Sequence, residues 1–170
     1  MKRPPIIGVM GGGQATDQDI RRAYDLGRLI AVQGWVLLNG GRNSGIMAAS
    51  ARGAAEHGGI TVGVLPDDHL GQCAPGIQIP IRTGMGSARN TINVLSSDIV
   101  VACPGGSGTL SEIALALKHA KPIILLAFDV CPLFERIGQP EPMPSVQTPE
   151  EVILHIQNLL RGKSTSCHYT

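Results

Sequence analysis

DIVVACPGGSGTLSE, residues 98–112, joins an unbroken apolar run, Ile99 to Cys103, directly to three glycines, several hydroxyl side chains and one carboxylate. A short run of Ile, Val and Ala reads as a parallel strand buried on both faces. Glycines directly after such a strand read as the turn into a helix, whose first N–H groups have no intrahelical acceptor. Gly105, Gly106, Ser107, Gly108 and Thr109 therefore stand where a cradle for an anion, a catalytic site or merely a tight turn would be built.

The same grammar repeats outward from this stretch. Apolar, β-branched runs at 6–10, 35–38, 60–65, 77–81, 99–103 and 122–126 alternate with helical periodicity at 17–32, 44–57, 87–95, 110–119 and 150–160. This is a repeated β-α unit, and it predicts an α/β fold: one doubly wound parallel sheet of six to seven strands. Thr16 with Asp19 reads as a capping pair, and Thr148-Pro149-Glu150-Glu151 as an N-cap with proline at the first helical position. The proline-rich stretch 133–147 is expected to be irregular, with a short edge strand near 145–147. We read residues 1–161 as one domain and 162–170 as a frayed, flexible tail.

Bulk properties exclude several classes of function. A chain of 170 residues with 43% hydrophobic composition suffices for one well-buried domain. A formal charge of +1 gives no global reason to expect nucleic acid or a membrane as partner. No apolar segment reaches the ~18 residues of a membrane span, and the basic start MKRPPIIGVMGGG has too short an apolar run for a secretion signal. A cytoplasmic protein is expected. Cys73, Cys103, Cys131 and Cys167 form no CxxC pair, which fits a reducing compartment and gives no reason to expect a metal site.

Ligands of an open parallel sheet sit beyond the carboxyl ends of its strands. The loops at that edge are Gly11-Gly12-Gly13-Gln14, Asn39 to Gly45, Arg82 to Asn90 and Pro104 to Thr109. The first breaks the GxGxxG dinucleotide pattern, because Thr16 takes the last position, and Asn39 ends the second strand where an NAD protein would carry an acid. NAD is not expected. Gly40 and Gly45 have the spacing of a phosphate loop, but Ile46 and Met47 replace its lysine and hydroxyl residue, which disfavours ATP hydrolysis of that class. What remains there is a glycine-rich turn, through Gly41, with Arg42 and Asn43 at its tip.

No Asp or Glu occurs between Leu26 and Ala55, or between His69 and Ser97, and these gaps hold Arg42, Arg82 and Arg89. Such arginines facing helix starts would make a positive basin for phosphate or another anion. Alternatively, they are solvated residues whose carboxylate partners come from elsewhere in the fold. Glu112 also carries two readings. With Thr109 as N-cap it completes a capping box, worth about 1 kcal/mol; otherwise it faces the ligand opposite Arg89. Cys103 is either a ligand contact or a buried thiol.

PGGSGTLSE resembles the PGGxGTxxE signature of the Rossmann-like Lonely guy family, which has gone under the name of lysine decarboxylase and includes cytokinin-activating phosphoribohydrolases. LLNGGRNSGIMAASARGAAEHGGITVGVLP, residues 37–66, is similar to the family's second glycine loop, helix and third strand. The resemblance implies no pyridoxal phosphate, and no lysine site for it is recognisable. It implies that Arg89, fifteen residues before the PGG, and Glu112 would act as the catalytic pair if the chain is a hydrolase of nucleoside 5′-monophosphates. Asn90 stands where those enzymes have lysine. TGMGSARNTINVLSSD, residues 83–98, more closely resembles a sister group that includes molybdenum cofactor carrier proteins. That likeness implies a binding protein for molybdopterin, an anionic, phosphate-bearing ligand, held by the four loops including Gly84. It further implies a homo-oligomer, dimer or dimer of dimers, with molybdoenzymes as acceptors of the cofactor.

Overall fold

The structure, a computed structural model, describes residues 3–136 and 143–165. Among the described residues seven strands form one parallel sheet: β1 (Ile6–Met10), β2 (Val36–Asn39), β3 (Thr61–Leu65), β4 (Ile79–Arg82), β5 (Ile99–Ala102), β6 (Ile123–Leu126) and β7 (Ser145–Val146). Their order in space is β4-β3-β2-β1-β5-β6-β7, so the direction of winding reverses between β1 and β5. These two strands pair directly, Ile7 opposite Ile99 and Met10 opposite Ala102. The predicted α/β class and strand number are borne out.

Period-two alternation decides which face each side chain covers. Ile7, Val9, Leu37, Ile99, Val101 and Cys103 pack against α1 (Asp17–Val32), α2 (Gly45–Ala55) and α6 (Pro149–Thr165). Met10, Leu38, Val100 and Ala102 pack on the opposite face against α3 (Asn90–Ser96), α4 (Ser107–Lys118) and α5 (Cys131–Arg136). Two helical layers on one sheet explain why the strands read as continuous apolar runs rather than alternating ones. The crossing of α1 and α2 is tight. A Cβ on Gly27 would collide with the Ser50 carbonyl and one on Gly53 with the Tyr24 carbonyl, so the two backbones touch.

Both predicted caps form. Thr16 Oγ1 accepts from the Asp19 N–H while the Thr16 N–H donates to the Asp19 carboxylate. Thr148 and Glu151 make the same reciprocal pair at the start of α6.

Four elements differ from expectation. The helix predicted at 87–95 begins as a 3-10 turn, Gly86–Arg89, and becomes α-helical at Asn90. Glycines with positive φ at Gly84 (63°) and Gly86 (55°) bend the chain there, and the Thr83 hydroxyl and Gly86 N–H fasten the bend to the carbonyls of Leu65 and Pro66. The stretch read as irregular, 133–147, is entered by α5, which is anchored by the buried Phe134 and has Pro132 in its first turn; residues 137–142 of that stretch lie outside the described residues. The end of α6 reaches Thr165, beyond the predicted 160, because a single glycine, Gly162, weakens a helix without stopping it. Residues 166–170 of the expected tail lie outside the described residues. Finally, α4 starts at Ser107 with Gly106 as its N-cap, not at Thr109.

Candidate functional site

The earlier start of α4 follows from how the loops meet. The Gly12 N–H donates to the Pro104 carbonyl at 2.9 Å, which draws the β1 and β5 loops together at the reversal point. The Ile46 N–H donates to the Gly12 carbonyl at 3.0 Å and ties in the start of α2. Closeness of this kind requires glycine. A Cβ on Gly105 would collide with Thr109 Oγ1, and one on Gly45, at φ 49°, with the Gly12 carbonyl. Pinned in this way, the chain enters the helix at Ser107. The first N–H groups of α4 then lack both intrahelical acceptors and a capping side chain.

Above this junction lies a cavity of about 280 Å³ lined by Val9, Met10, Gly11 to Gly13, Gly40, Met47, Arg89, Asn90, Gly106 to Thr109 and Glu112. It occupies the crevice where open α/β sheets place their ligands. Eleven of the residues singled out from sequence meet here: Gly11, Gly12, Gly13, Gly40, Arg89, Asn90, Gly106, Ser107, Gly108, Thr109 and Glu112.

Arg89 and Glu112 dominate its electrostatics. Their side chains are only 11% and 8% exposed, and Arg89 Nη1 lies 3.9 Å from Glu112 Oε1, beyond hydrogen-bond distance. A Cβ on Gly40 would come within 2.5 to 2.8 Å of Nη1, Nη2 and Cζ of Arg89, so the guanidinium rests on the bare backbone of Gly40. Arg89 Nε is buried without a partner. Burial lowers the Arg89 pKa, against which Glu112 acts, with Arg42 adding to the lowering. Burial likewise pushes the Glu112 carboxyl up, more than the hydrogen bond from Asn93 and the charge of Arg89 pull it down. Both groups are therefore desolvated without full compensation, and a guanidinium, which does not lose its proton in proteins, is left able to accept an anion.

The capping-box reading of Glu112 is overturned. Thr109 is the third residue of α4, and Glu112 lies a turn further on, accepting from Asn93 Nδ2 at 2.8 Å. Asn90 directs its amide to Ser111 Oγ at 2.9 Å and to the Gly108 carbonyl at 3.4 Å. It braces the first turn of α4.

The remaining expected site residues lie outside the cavity lining. Arg42 pairs with Asp67 at 3.1 Å, a carboxylate supplied from β3's far end. Asn43 lines a separate hollow with Ser44, Arg52 and Pro75. Arg82 ends the exposed edge strand β4, and Gly84 sits beside Asp68. Gly41, at φ 73°, packs under Leu65, while Gly105 backs the junction described above. Cys103 is a buried thiol in the core facing α1 and does not line the cavity; burial, with Asp19 adding, pushes it up to about 12.

Asn93, Asn39, Val9, Met10 and Met47 were not picked out from sequence. Asn93 sits four residues after Arg89, hence on the same helical side, and that spacing was the available signal. Asn39 shapes the β2 loop from below: its Nδ2 donates to the Met47 carbonyl and its Oδ1 accepts from the Gly41 N–H.

The sheet order, the crevice at its reversal and the glycine-lined cavity define a Rossmann-like α/β protein with a candidate site at the switch point. The sequence model of the SLOG cluster4 family matches residues 4–153, and the chain belongs to that family. Its structure superposes on the molybdenum cofactor binding protein from Rippkaea orientalis with a TM-score of 0.89 and 48% identity, covering 94% of this chain and 99% of that one. The Moco carrier protein from Chlamydomonas reinhardtii gives 0.84 and 41% over the same shares. The cytokinin riboside 5′-monophosphate phosphoribohydrolase of Mycobacterium tuberculosis is 34% identical over 118 residues, 61% of this chain and 60% of that enzyme. The resemblance to the Lonely guy family, and within it to the carrier proteins, is thereby borne out.

Proposed function

We propose that this protein binds and carries an anionic, phosphate-bearing cofactor, and that the cofactor is molybdenum cofactor. The observation that carries the proposal is the cavity at the switch point, where the unpartnered Arg89 Nε and the uncapped start of α4 offer donors to an anion. The donor set suits molybdopterin, which carries a terminal phosphate and an anionic dithiolene. Gly106 to Thr109 and Arg89 would hold the anionic groups, and Met10 and Met47 offer apolar surface to the pterin. Similarity to cofactor-binding proteins over nearly the whole chain supports the same reading. A carrier also needs release, and we infer a homo-oligomer that hands its cargo to molybdoenzymes.

The test is anaerobic titration with molybdopterin, read by tryptophan fluorescence and thermal shift. Saturable binding, lost in Arg89→Ala, is expected; no binding of cofactor to the wild type would sink the reading.

The phosphoribohydrolase reading keeps one specific support, the Arg89–Glu112 juxtaposition inside the cavity. Against it stands Asn90, whose amide is already engaged with α4. Incubation with AMP and modified AMPs, assayed for free base and ribose 5-phosphate, separates the two. The carrier reading expects no product above that of Glu112→Gln.

A further inference from the structure

Glu112 is an unusual residue for a site that receives anions. Its carboxyl is nearly enclosed, lines the same cavity as the first turn of α4, and shares its single guanidinium with whatever enters. Two anions that contest one cation in a low-dielectric cavity do not both stay ionised. The cost falls on the group that can take a proton.

We propose that Glu112 binds a proton whenever an anionic ligand occupies this cavity, so that loading takes up one proton from solvent and unloading returns it. The inference deepens the cofactor-carrier reading and rests on it. In the empty cavity Arg89 faces Glu112 Oε1; in the loaded one it faces the ligand's anionic oxygen, and the proton resides on the Glu112 carboxyl.

The surroundings of Glu112 point the same way. From α3, Asn93 donates to Oε1, while its own Oδ1 is a buried acceptor without a protein donor. A proton on Glu112 would place a donor in this acceptor-rich corner. From β1 and the β2 loop come Met10, Val9 and Gly40, and from α4 itself Ser107 and Thr109, none of which is charged. The charged group that acts on Glu112 is Arg89; beyond it lie Arg42 and Asp67, which largely cancel each other. Among the described residues no second cation is thus in place to hold Glu112 ionised beside an anion. The burial that already raises its affinity for protons in the empty protein acts in the same direction.

The consequence is a protein that loads more readily as pH falls. In the range where the proton is taken up, Kd rises by up to about tenfold per pH unit. The carrier would release its cargo where local pH is higher or where an acceptor removes the proton from Glu112.

The experiment is isothermal titration calorimetry of the full chain at pH 7.5, where a phosphate monoester is already almost fully ionised, with its second pKa at about 6. Molybdopterin and AMP are the two probes, each run in Pipes, Hepes and Tris, whose ionisation enthalpies differ. Wild type is expected to take up about one proton per bound probe; Glu112→Gln is expected to bind with none and with a pH-independent Kd. Binding without proton uptake in the wild type, or equal uptake in Glu112→Gln, overturns the inference while leaving the carrier reading intact. Uptake with AMP but no binding of molybdopterin upholds it and removes the cofactor reading. If neither probe binds, both fall. Should Glu112→Gln not fold, infrared difference spectra of wild type with isotopically labelled glutamate decide: a protonated carboxyl band appears on loading, or the inference fails.

Discussion

Arg42 and Arg89 come from the same kind of sequence context, a glycine-rich loop at the carboxyl edge of the sheet with no acid nearby in the chain. The fold treats them oppositely. Arg42 is 43% exposed and shares both Asp67 oxygens, whereas Arg89 is almost enclosed, lies on Gly40 and has no hydrogen-bonded carboxylate. Scarcity of acids along the chain therefore does not locate a positive basin. What locates it is whether the fold encloses the guanidinium without hydrogen-bonding it to a carboxylate, as it does for Arg89 and not for Arg42.

Five variants would sharpen or break this contrast. The largest effect is expected from Arg89→Ala, which should weaken binding of molybdopterin by roughly 100-fold or more, about 3 kcal/mol. Arg42→Ala should change it by less than about fivefold, as for an exposed ion pair. Comparable losses in the two variants would mean that Arg42 turns into the cavity when loaded.

Gly40→Ala tests the seat of the guanidinium. Its methyl would displace Arg89, and a cost of about 1–3 kcal/mol is expected, read as a loss of affinity of roughly fivefold or more. A crystal structure of the variant should show Arg89 moved away from Glu112.

Glu112→Gln tests the carboxylate side through stability. The folded protein holds the Glu112 proton more tightly than the unfolded chain does, because burial raises its pKa. Its contribution is therefore fully present below the ordinary glutamate range and is lost as pH rises through the raised folded value. Denaturation midpoints of wild type should fall across that window relative to the variant; parallel curves would show that Glu112 is not desolvated. The smallest effect should come from Asp67→Ala, which releases Arg42. Binding should tighten by about two- to fivefold at low salt and return towards wild type above ~0.5 M salt.

Much of the fold is legible because both signals that define it are local. Five of the six apolar runs begin within a residue of the strand they predict, four of those five being followed within two residues by a glycine or proline, and the caps at Thr16 and Thr148 are spelled out by adjacent residues. The site is less so. The hydroxyl at Thr109 with Glu112 three residues later has the spelling of a capping box, but contact between the β1 and β5 loops moves the helix start to Ser107, and the one trace of it in PGGSGTLSE, Gly105, reads equally as an ordinary turn glycine. Asn93 was passed over because its value depends on a carboxylate from another helix. Asp67 was likewise invisible as the partner of Arg42, twenty-five residues away.

The touching backbones of α1 and α2 bear on how a ligand would reach the cavity. Because Gly27 and Gly53 leave no slack between the helices, the loops that precede them, 11–13 and 40–44, are expected to act as one fixed jaw. The opposing jaw consists of a single 3-10 turn, the seven-residue α3 and the first turn of α4. Entry and exit of a ligand would thus fall to the side that carries Arg89, and amide hydrogen exchange should be faster along 84–96 than along 45–55. Filling either helix glycine, a routine way to stiffen a helix, would here wedge the fixed jaw apart from a position well removed from the ligand.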